Sequence, residues 1–193
     1  DHVPVIDEDQ LTVDFMPILR RAAAAGFQSV MVDGSRLPLT ENIAVTREAS
    51  DFAHEKGIGC EAELGSVMGH EGTGVISYEE LFASKKGFTD LLEAKRFVTE
   101  SRCDWLSVAV GSIHGAIAES TKNQKKPEAR LDVDHIVELR KVTDIPLVLH
   151  GGSGINQDCI LRAIEAGIAK INVATDIRQP YERAMTEKGD VEY

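Results

Sequence analysis

Short apolar segments alternate with segments of helical periodicity along almost the whole chain, and this alternation restricts the possible folds more than any other feature. Five runs rich in Val, Ile and Ala have the length of strands and are apolar almost throughout, which is typical of parallel strands covered on both faces. These runs are 29–33, 58–64, 105–110, 146–150 and 169–173. The sequence therefore predicts a sheet of parallel strands.

Helical segments with recognisable ends separate these runs. Each has a capping residue before it or a glycine after it. The segments are 14–25, 40–56 with Thr40 as its cap, 90–100 with Thr89 as its cap, 132–142, 156–166 and a last one that begins near Ile177. Strand followed by helix, repeated at intervals of roughly 30 to 40 residues, predicts right-handed βαβ units and an α/β fold of the (β/α)8 TIM-barrel type.

The length of 193 residues suits one domain. About six of the eight βα units of a closed barrel fit this length, so we expect residues 1–193 to form a single barrel domain that is incomplete at the N-terminus. Asp1 stands inside a motif, which also favours a fragment. Two long segments, 66–89 and 112–130, follow strands, and loops of that length are often lids or binding loops.

The charge balance argues against several classes of function. Acidic residues outnumber basic ones 32 to 21, which gives a net charge of −11, so we expect no nucleic-acid or anionic-membrane partner. No apolar run approaches the roughly 20 residues of a membrane span, and no leader is recognisable. Cys60, Cys103 and Cys159 lack a CxxC spacing, which favours buried free thiols in the reducing cytoplasm.

Histidines stand at the ends of predicted strands. His114 and His150 follow neighbouring strands, each directly before a glycine, and His2 stands at the start of the chain. Zn²⁺ binds imidazole readily, and three protein ligands with one open position form its catalytic arrangement. We therefore predict that these three side chains share a metal, although each could be an ordinary core or capping residue. That ordinary interpretation is the expected one for His54 and His135, which lie on helices as solvated side chains.

A glycine-rich turn, residues 151–154, follows the fourth predicted strand and precedes the helix that begins near Asn156. Free backbone N–H groups at the start of a helix form an anion site, and barrels often bind phosphate in this region. The next loop, 172–176, adds an amide, a hydroxyl and further backbone donors. The alternative is a turn without a ligand, but the adjacent histidine favours a phosphate site close to a metal.

Three carboxylates also lie near the predicted strand ends, and a fourth lies in a loop. Glu61 and Glu63 alternate with apolar residues, so both point to one side of their strand, and Asp33 ends an earlier strand. Each could approach a metal or simply pair with a basic group. Glu71 stands in a stretch flanked by glycines, from which it could swing in as a proton donor or remain solvated.

Six stretches together carry a resemblance to a known family. They are Asp1-His2, SVMVDGSRLPLTENI (29–43), EAELG (61–65), AVGSIHG (109–115), PLVLHGGSG (146–154) and KINVATDI (170–177). In content and order they resemble the class II, metal-dependent fructose-bisphosphate aldolases, a group that includes tagatose-bisphosphate aldolases. The resemblance spans almost the whole chain.

The resemblance implies a role for each matching residue. His2, His114 and His150 would hold a catalytic Zn²⁺, and Asp33 and Glu63 would match a secondary position for a divalent ion. Asp1 would be the catalytic acid/base, and Glu71 would be the acid of a mobile loop. The substrate would be bound by Gly115, Gly151, Gly152, Ser153, Asn172, Val173, Ala174 and Thr175, with a monovalent cation (Na⁺ or K⁺) near Gly115 and Ser153.

The implied reaction is the reversible cleavage of fructose 1,6-bisphosphate to dihydroxyacetone phosphate and glyceraldehyde 3-phosphate, as in glycolysis. The implied partners are phosphorylated ketoses and trioses and a second copy of the chain, in a cytoplasmic homodimer or homotetramer. Three alternatives remain: an aldolase for tagatose bisphosphate or a related ketose phosphate, an inactive fragment of such an enzyme, and a metal-free phosphate-binding barrel. The metal-free barrel does not explain why three histidines stand at strand ends.

Overall fold

Strands and helices alternate as the apolar pattern predicts. The structure is a computed structural model, and it describes residues 2–65, 78–112 and 130–188. Its strands are β1 (Ser29–Val32), β2 (Gly59–Leu64), β3 (Trp105–Val108), β4 (Leu147–Leu149) and β5 (Ile168–Ile171). Its helices are α1 (Phe15–Ala24), α2 (Leu39–Glu55), α3 (Tyr78–Ser84), α4 (Leu91–Ser101), α5 (Val133–Thr143), α6 (Gln157–Ala166) and α7 (Thr175–Lys188). Among these described helices, none combines the length and the hydropathy that a membrane span requires.

The strands form one parallel sheet in the order β1-β2-β3-β4-β5. The register pairs Val32 with Ala62 and Leu64 with Val108 on one side of β3, and Leu149 with Ile171 at the other end of the sheet. Strands in chain order with helical crossovers of one hand place their helices on the same face. The α/β fold class is thereby confirmed, and the arrangement is that of part of a (β/α)8 barrel.

The core fills the space between this sheet and the helices. Phe97 of α4, Ile136 and Leu139 of α5 pack with strand residues such as Leu106 and Leu147 in the larger apolar cluster. A second cluster joins β1 to the first two helices around Leu19, Val32 and Phe52. Because side chains alternate along a strand, the neighbouring residues of the same strands face the other way.

The opposite face of the sheet, called the inner face below, carries polar residues. Glu61 and Glu63 of β2, Ser107 of β3, Lys170 of β5 and His150 just after β4 contact one another there. The alternation predicted for Glu61 and Glu63 is thus confirmed. The inner face is where the chemistry-bearing side chains of the described residues meet.

Helix ends lie within two residues of the predicted ones, but two threonines do not act as the predicted caps. Asp90 is the N-cap of α4, and its side chain accepts hydrogen bonds from the backbone N–H groups of Leu92 and Glu93. The prediction that Thr89 caps this helix was wrong, because the Thr89 hydroxyl is occupied by the backbone of β2 and of Ala109. Helix α2 begins before Thr40, at Leu39, with Pro38 as an N-cap that makes no side-chain hydrogen bond.

The long segment predicted as a loop, 66–89, contains helix α3 in its second half. Phe82 of this helix stacks edge-on with Phe88, with ring centroids 5.6 Å apart. The apolar pattern does not predict this helix, since seven residues are too few for a clear helical period.

Candidate functional site

A short extended segment brings His2 to the end of β1. The N–H of Val5 donates to the carbonyl of Asp33, and the N–H of Asp33 donates to the carbonyl of Val3, each at 2.9 Å. This segment thus runs parallel to the end of β1, where Pro4 and Asp33 form a bridge. His2 therefore lies at the same edge of the sheet as the carboxyl ends of the strands.

Asp33 anchors the His2 ring. Its Oδ2 lies 3.0 Å from Nδ1 of His2, and its Oδ1 accepts hydrogen bonds from the backbone N–H and the hydroxyl of Ser35. Burial alone would raise the pKa of Asp33, but the hydrogen bonds with His2 and Ser35 outweigh it and lower that pKa to about 2. The carboxylate is therefore ionised at physiological pH and orients the ring.

His150 lies between the two glutamates of β2. It is 1% exposed, its Nε2 lies 2.9 Å from Oε1 of Glu61, and its Nδ1 lies 2.9 Å from Oε2 of Glu63. Burial disfavours the imidazolium, but Glu61 and Glu63 outweigh this effect and raise the pKa of His150 to about 9. In the absence of a metal, the ring is a buried cation between two carboxylates.

His2, Glu63 and His150 together form a possible metal site. One ligand atom of each lies within 4.8 Å of the others, and the two imidazole centroids are 4.4 Å apart. Nδ1 of His150 makes an ion-pair contact of 2.9 Å with Oε2 of Glu63 but no hydrogen bond within the described part of the chain. A buried nitrogen in that state, beside a second imidazole and a carboxylate, fits a divalent ion such as zinc.

Two residues without a predicted role support Glu63. The side-chain amide of buried Asn42 in α2 donates to the Glu63 carbonyl at 3.0 Å, and the Ser107 hydroxyl donates to Oε2 of Glu63 at 3.4 Å. Strand alternation could have placed Ser107 on the inner face. No signal identified Asn42, because a helical amide does not reveal which strand it contacts.

The two loops predicted to bind phosphate meet in the structure. The N–H of Gly152 donates to the carbonyl of Asn172 at 3.0 Å, and the N–H of Gly154 donates to Oδ2 of Asp176 at 3.1 Å. The N–H of Asp176 donates to the Ser153 hydroxyl at 3.2 Å, and Ser153 is buried. Two backbone donors of this turn and one of the other loop therefore hold the two loops together, next to the N-terminus of α7.

Gly152 has a steric reason to be glycine. A Cβ at this position would lie 2.5 Å from Cγ2 of Ile171 and 3.0 Å from the carbonyl oxygen of Asn172. The other residues of these loops that were predicted to bind substrate lie close by. Gly151 has a φ of +72°, Val173 and Ala174 lie in the loop after β5, and Thr175 is the first residue of α7.

Four predicted site residues lie outside the described residues: Asp1, Glu71, His114 and Gly115. Their roles stay predictions. Before the segments that contain Glu71 and His114, the described residues end at Gly65, which follows β2, and at Ser112, which follows β3.

The helical histidines are remote from this site. His54 lies 3.0 Å from Oδ2 of Asp104, and His135 donates from Nε2 to the carbonyl of Thr89 at 2.8 Å. With its side chain only 12% exposed, His135 is not the solvated residue that was predicted. It connects α5 to the turn before α4.

The family model for class II fructose-bisphosphate aldolases matches residues 1–192. The YdjI aldolase from Escherichia coli K12 has a similar structure, with 35% identity and a TM-score of 0.72 over 92% of this chain and 57% of that one. A putative fructose-1,6-bisphosphate aldolase from Coccidioides immitis has 27% identity and a TM-score of 0.71 over 99% of this chain and 62% of that one.

The fructose-bisphosphate aldolase of Campylobacter jejuni shares the fold, with a TM-score of 0.68, 20% identity, and coverage of 97% of this chain and 54% of that one. The chain thus spans less than two thirds of the length of these solved structures. With the family model matching almost every residue and the histidine site at the strand ends, the chain belongs to the class II fructose-bisphosphate aldolase family.

Proposed function

We propose that the protein is a metal-dependent aldolase that reversibly cleaves fructose 1,6-bisphosphate to dihydroxyacetone phosphate and glyceraldehyde 3-phosphate. The observation that carries this proposal is the meeting of His2, Glu63 and His150 within 4.8 Å at the carboxyl ends of the strands. Barrel enzymes place their active sites at this edge. Membership in the family supports the reaction type.

The metal would be Zn²⁺, held by His2, His150 and His114. When bound, such an ion polarises a carbonyl oxygen and stabilises the negative charge that develops there. Glu63 and Asp33 would serve the secondary position for a second divalent ion. Asp33 also fixes the His2 ring through a 3.0 Å contact, so that one ligand is oriented before the metal arrives.

The remaining predicted roles concern the substrate. Asp1, adjacent to His2, would move the proton of the hydroxyl group at the bond that breaks, and Glu71 would exchange the proton of the triose carbon. Each such step is typically worth a factor of about 10² to 10⁴ in rate. The turn 151–154, the loop 172–175 and Gly115 would hold the phosphate, and a monovalent cation would lie near Gly115 and Ser153.

The test is the release of triose phosphate from fructose 1,6-bisphosphate, measured with and without EDTA. We expect turnover that EDTA abolishes and that Zn²⁺ restores, and we expect His150→Ala and His114→Ala to lose it. His54→Ala is the matched control, since His54 pairs with Asp104 far from the site. Turnover that persists in EDTA, or in His150→Ala with unchanged metal content, would refute the proposal.

A second candidate substrate is tagatose 1,6-bisphosphate or a related ketose phosphate. Fructose- and tagatose-bisphosphate aldolases share the motifs of this chain, and the relative with 35% identity is named only as an aldolase, whereas those named for fructose bisphosphate have 27% and 20% identity. Comparing cleavage rates for the two C4 epimers distinguishes the two candidates, because only the configuration at the hydroxyl next to the broken bond differs.

We also propose that the enzyme acts in the cytoplasm as a homodimer or homotetramer. Sedimentation or light scattering of the metal-loaded protein tests the assembly, and a monomer at micromolar concentration would contradict it.

A further inference from the structure

A chain of three charged groups crosses the inner face of the sheet behind the metal site. Nζ of Lys170 on β5 lies 2.6 Å from Oε2 of Glu61 on β2, and Oε1 of Glu61 lies 2.9 Å from Nε2 of His150 after β4. The three residues are far apart in the sequence and belong to three different strands or strand ends. Among the described residues they form a continuous contact path that ends on a candidate metal ligand.

Two of the three side chains are buried, so the energy of each charged group depends strongly on its partners. Glu61 is 3% exposed and His150 is 1% exposed, whereas the side chain of Lys170 is 47% exposed. A buried carboxylate is stable only when its oxygens are compensated by hydrogen bonds or charge. Each Glu61 oxygen has one such partner, the ammonium on Oε2 and the imidazole on Oε1, so this carboxylate is fully engaged.

Lys170 distinguishes two otherwise similar glutamates. Glu61 and Glu63 are two positions apart on one strand and both contact His150, but the ammonium of Lys170 contacts Glu61. The Lys170 ammonium compensates the charge of the Glu61 carboxylate. Glu63, on the Nδ1 side of His150 and within the His2 cluster, is the one available to a cation.

We propose that Glu61 and Lys170 are positioning residues for the metal: Lys170 fixes Glu61, and Glu61 accepts a hydrogen bond from the Nε2–H of His150 and thereby presents Nδ1 as the ligand atom. This inference rests on the proposed metal-dependent function. A hydrogen bond from the distal nitrogen of a ligating histidine to a carboxylate fixes the ring and raises its basicity, and losing it typically costs about 10- to 100-fold in metal affinity.

The first experiment measures the dissociation constant for Zn²⁺ of the whole protein, by competition with a chromogenic chelator, in the wild type, Glu61→Gln and Lys170→Met. Glu61→Gln should weaken binding about 10- to 100-fold, and Lys170→Met should weaken it about tenfold, at the low end of that range, because Lys170 acts through Glu61. Glu93→Gln on α4 and Lys141→Met on α5 are matched controls on the exposed surface and should bind Zn²⁺ like the wild type.

The second experiment locates the proton of His150 by long-range ¹H–¹⁵N NMR of the zinc-loaded wild type. We expect a proton on Nε2 and the metal on Nδ1, a result that a merely structural ion pair would not dictate. Metal on Nε2 would overturn the proposal. Thermal unfolding of each variant separates lost folding from lost affinity, and Lys170→Met, at a half-exposed position, keeps the test decisive if Glu61→Gln does not fold.

The outcomes separate the two proposals. If the wild type binds Zn²⁺ tightly and either folded variant, Glu61→Gln or Lys170→Met, binds it equally tightly, the positioning role of that residue is refuted and the metal site stands. If the wild type binds no Zn²⁺ through His150, the proposed function and the positioning roles fail together.

Discussion

At the scale of single residues, the three thiols differ most in their surroundings. Burial raises the pKa of Cys60 to about 11 and that of Cys103 to about 12. A raised pKa lowers the fraction of reactive thiolate at every pH below it. Cys159, in the first turn of α6, is only partly buried.

We therefore expect one thiol to react with a chromogenic disulfide at pH 8 in the native protein and three to react after denaturation. Mass spectrometry of the labelled chain should identify Cys159 as the reactive residue. Rapid modification of Cys60 or Cys103 in the native state would contradict the packing of β2 against α2 and of the turn before β3.

The two glutamates of β2 show which features of single residues the sequence predicts and which it does not. Alternation placed Glu61 and Glu63 on one face, which the contacts of both with His150 confirm. Their different partners could not be predicted, because the distinction depends on Lys170, more than a hundred positions along the chain, and on which strand lies beside which. Only the folded register supplies that information.

At the scale of elements, Thr89 joins the ends of two strands. Its hydroxyl donates to the carbonyl of Leu64 at 2.5 Å and accepts from the N–H of Ala109 at 2.9 Å, and the residue is 1% exposed. Replacing it with the isosteric valine leaves two buried backbone groups without partners, each costing about 1 to 3 kcal/mol.

We expect Thr89→Val to lower the free energy of unfolding by about 2 to 4 kcal/mol in urea denaturation. Thr99→Val is the matched control on the exposed side of α4, where a change within about 0.5 kcal/mol is expected. Equal stabilities of the two variants would show that the Thr89 contacts are not essential to the strand ends.

The loops after β4 and β5 form another pair of elements that depend on each other. Because a Cβ on Gly152 would collide with Ile171 and Asn172, Gly152→Ala should push the two loops apart. Their hydrogen bonds to each other shape the proposed phosphate site, so we expect the dissociation constant for dihydroxyacetone phosphate to rise about tenfold or more, measured by calorimetry.

Gly26→Ala provides the control for this loop prediction. Gly26 has a φ of +91°, and a Cβ added to it would meet no atom within 4 Å, so the substitution introduces backbone strain of about 1 kcal/mol without touching the loops. Ligand affinity should be retained in Gly26→Ala, and a similar loss in both variants would refute the role of the Gly152 contact.

The strands and long helices were predictable from the sequence because each is a local pattern with a local stop signal. Asp90, Asp132 and Asn156, predicted as the first residues of α4, α5 and α6, are the side-chain N-caps of these helices. Thr89 was wrongly predicted to cap α4. Its hydroxyl instead bonds the backbone at the ends of two strands, and the sequence does not show this because it depends on tertiary contacts. The short helix α3 was missed for want of a clear period.

At the scale of the whole molecule, parallel topology explains how His2 and His150 meet. All carboxyl ends of parallel strands lie at one edge, so residues from opposite ends of the chain become neighbours there. Strand order and register then set the 4.4 Å separation of the two imidazole centroids, which no local pattern contains. The sequence therefore predicted that His2 and His150 meet at this edge, but it did not predict which carboxylate each of them contacts.

The most direct measurement is anomalous X-ray diffraction at the zinc absorption edge from crystals of the zinc-loaded protein. We predict one zinc ion at about 2.0 to 2.1 Å from a nitrogen of His2 and from a nitrogen of His150. Zinc bound elsewhere, with His150 still between Glu61 and Glu63 and without a metal, would contradict the proposed site.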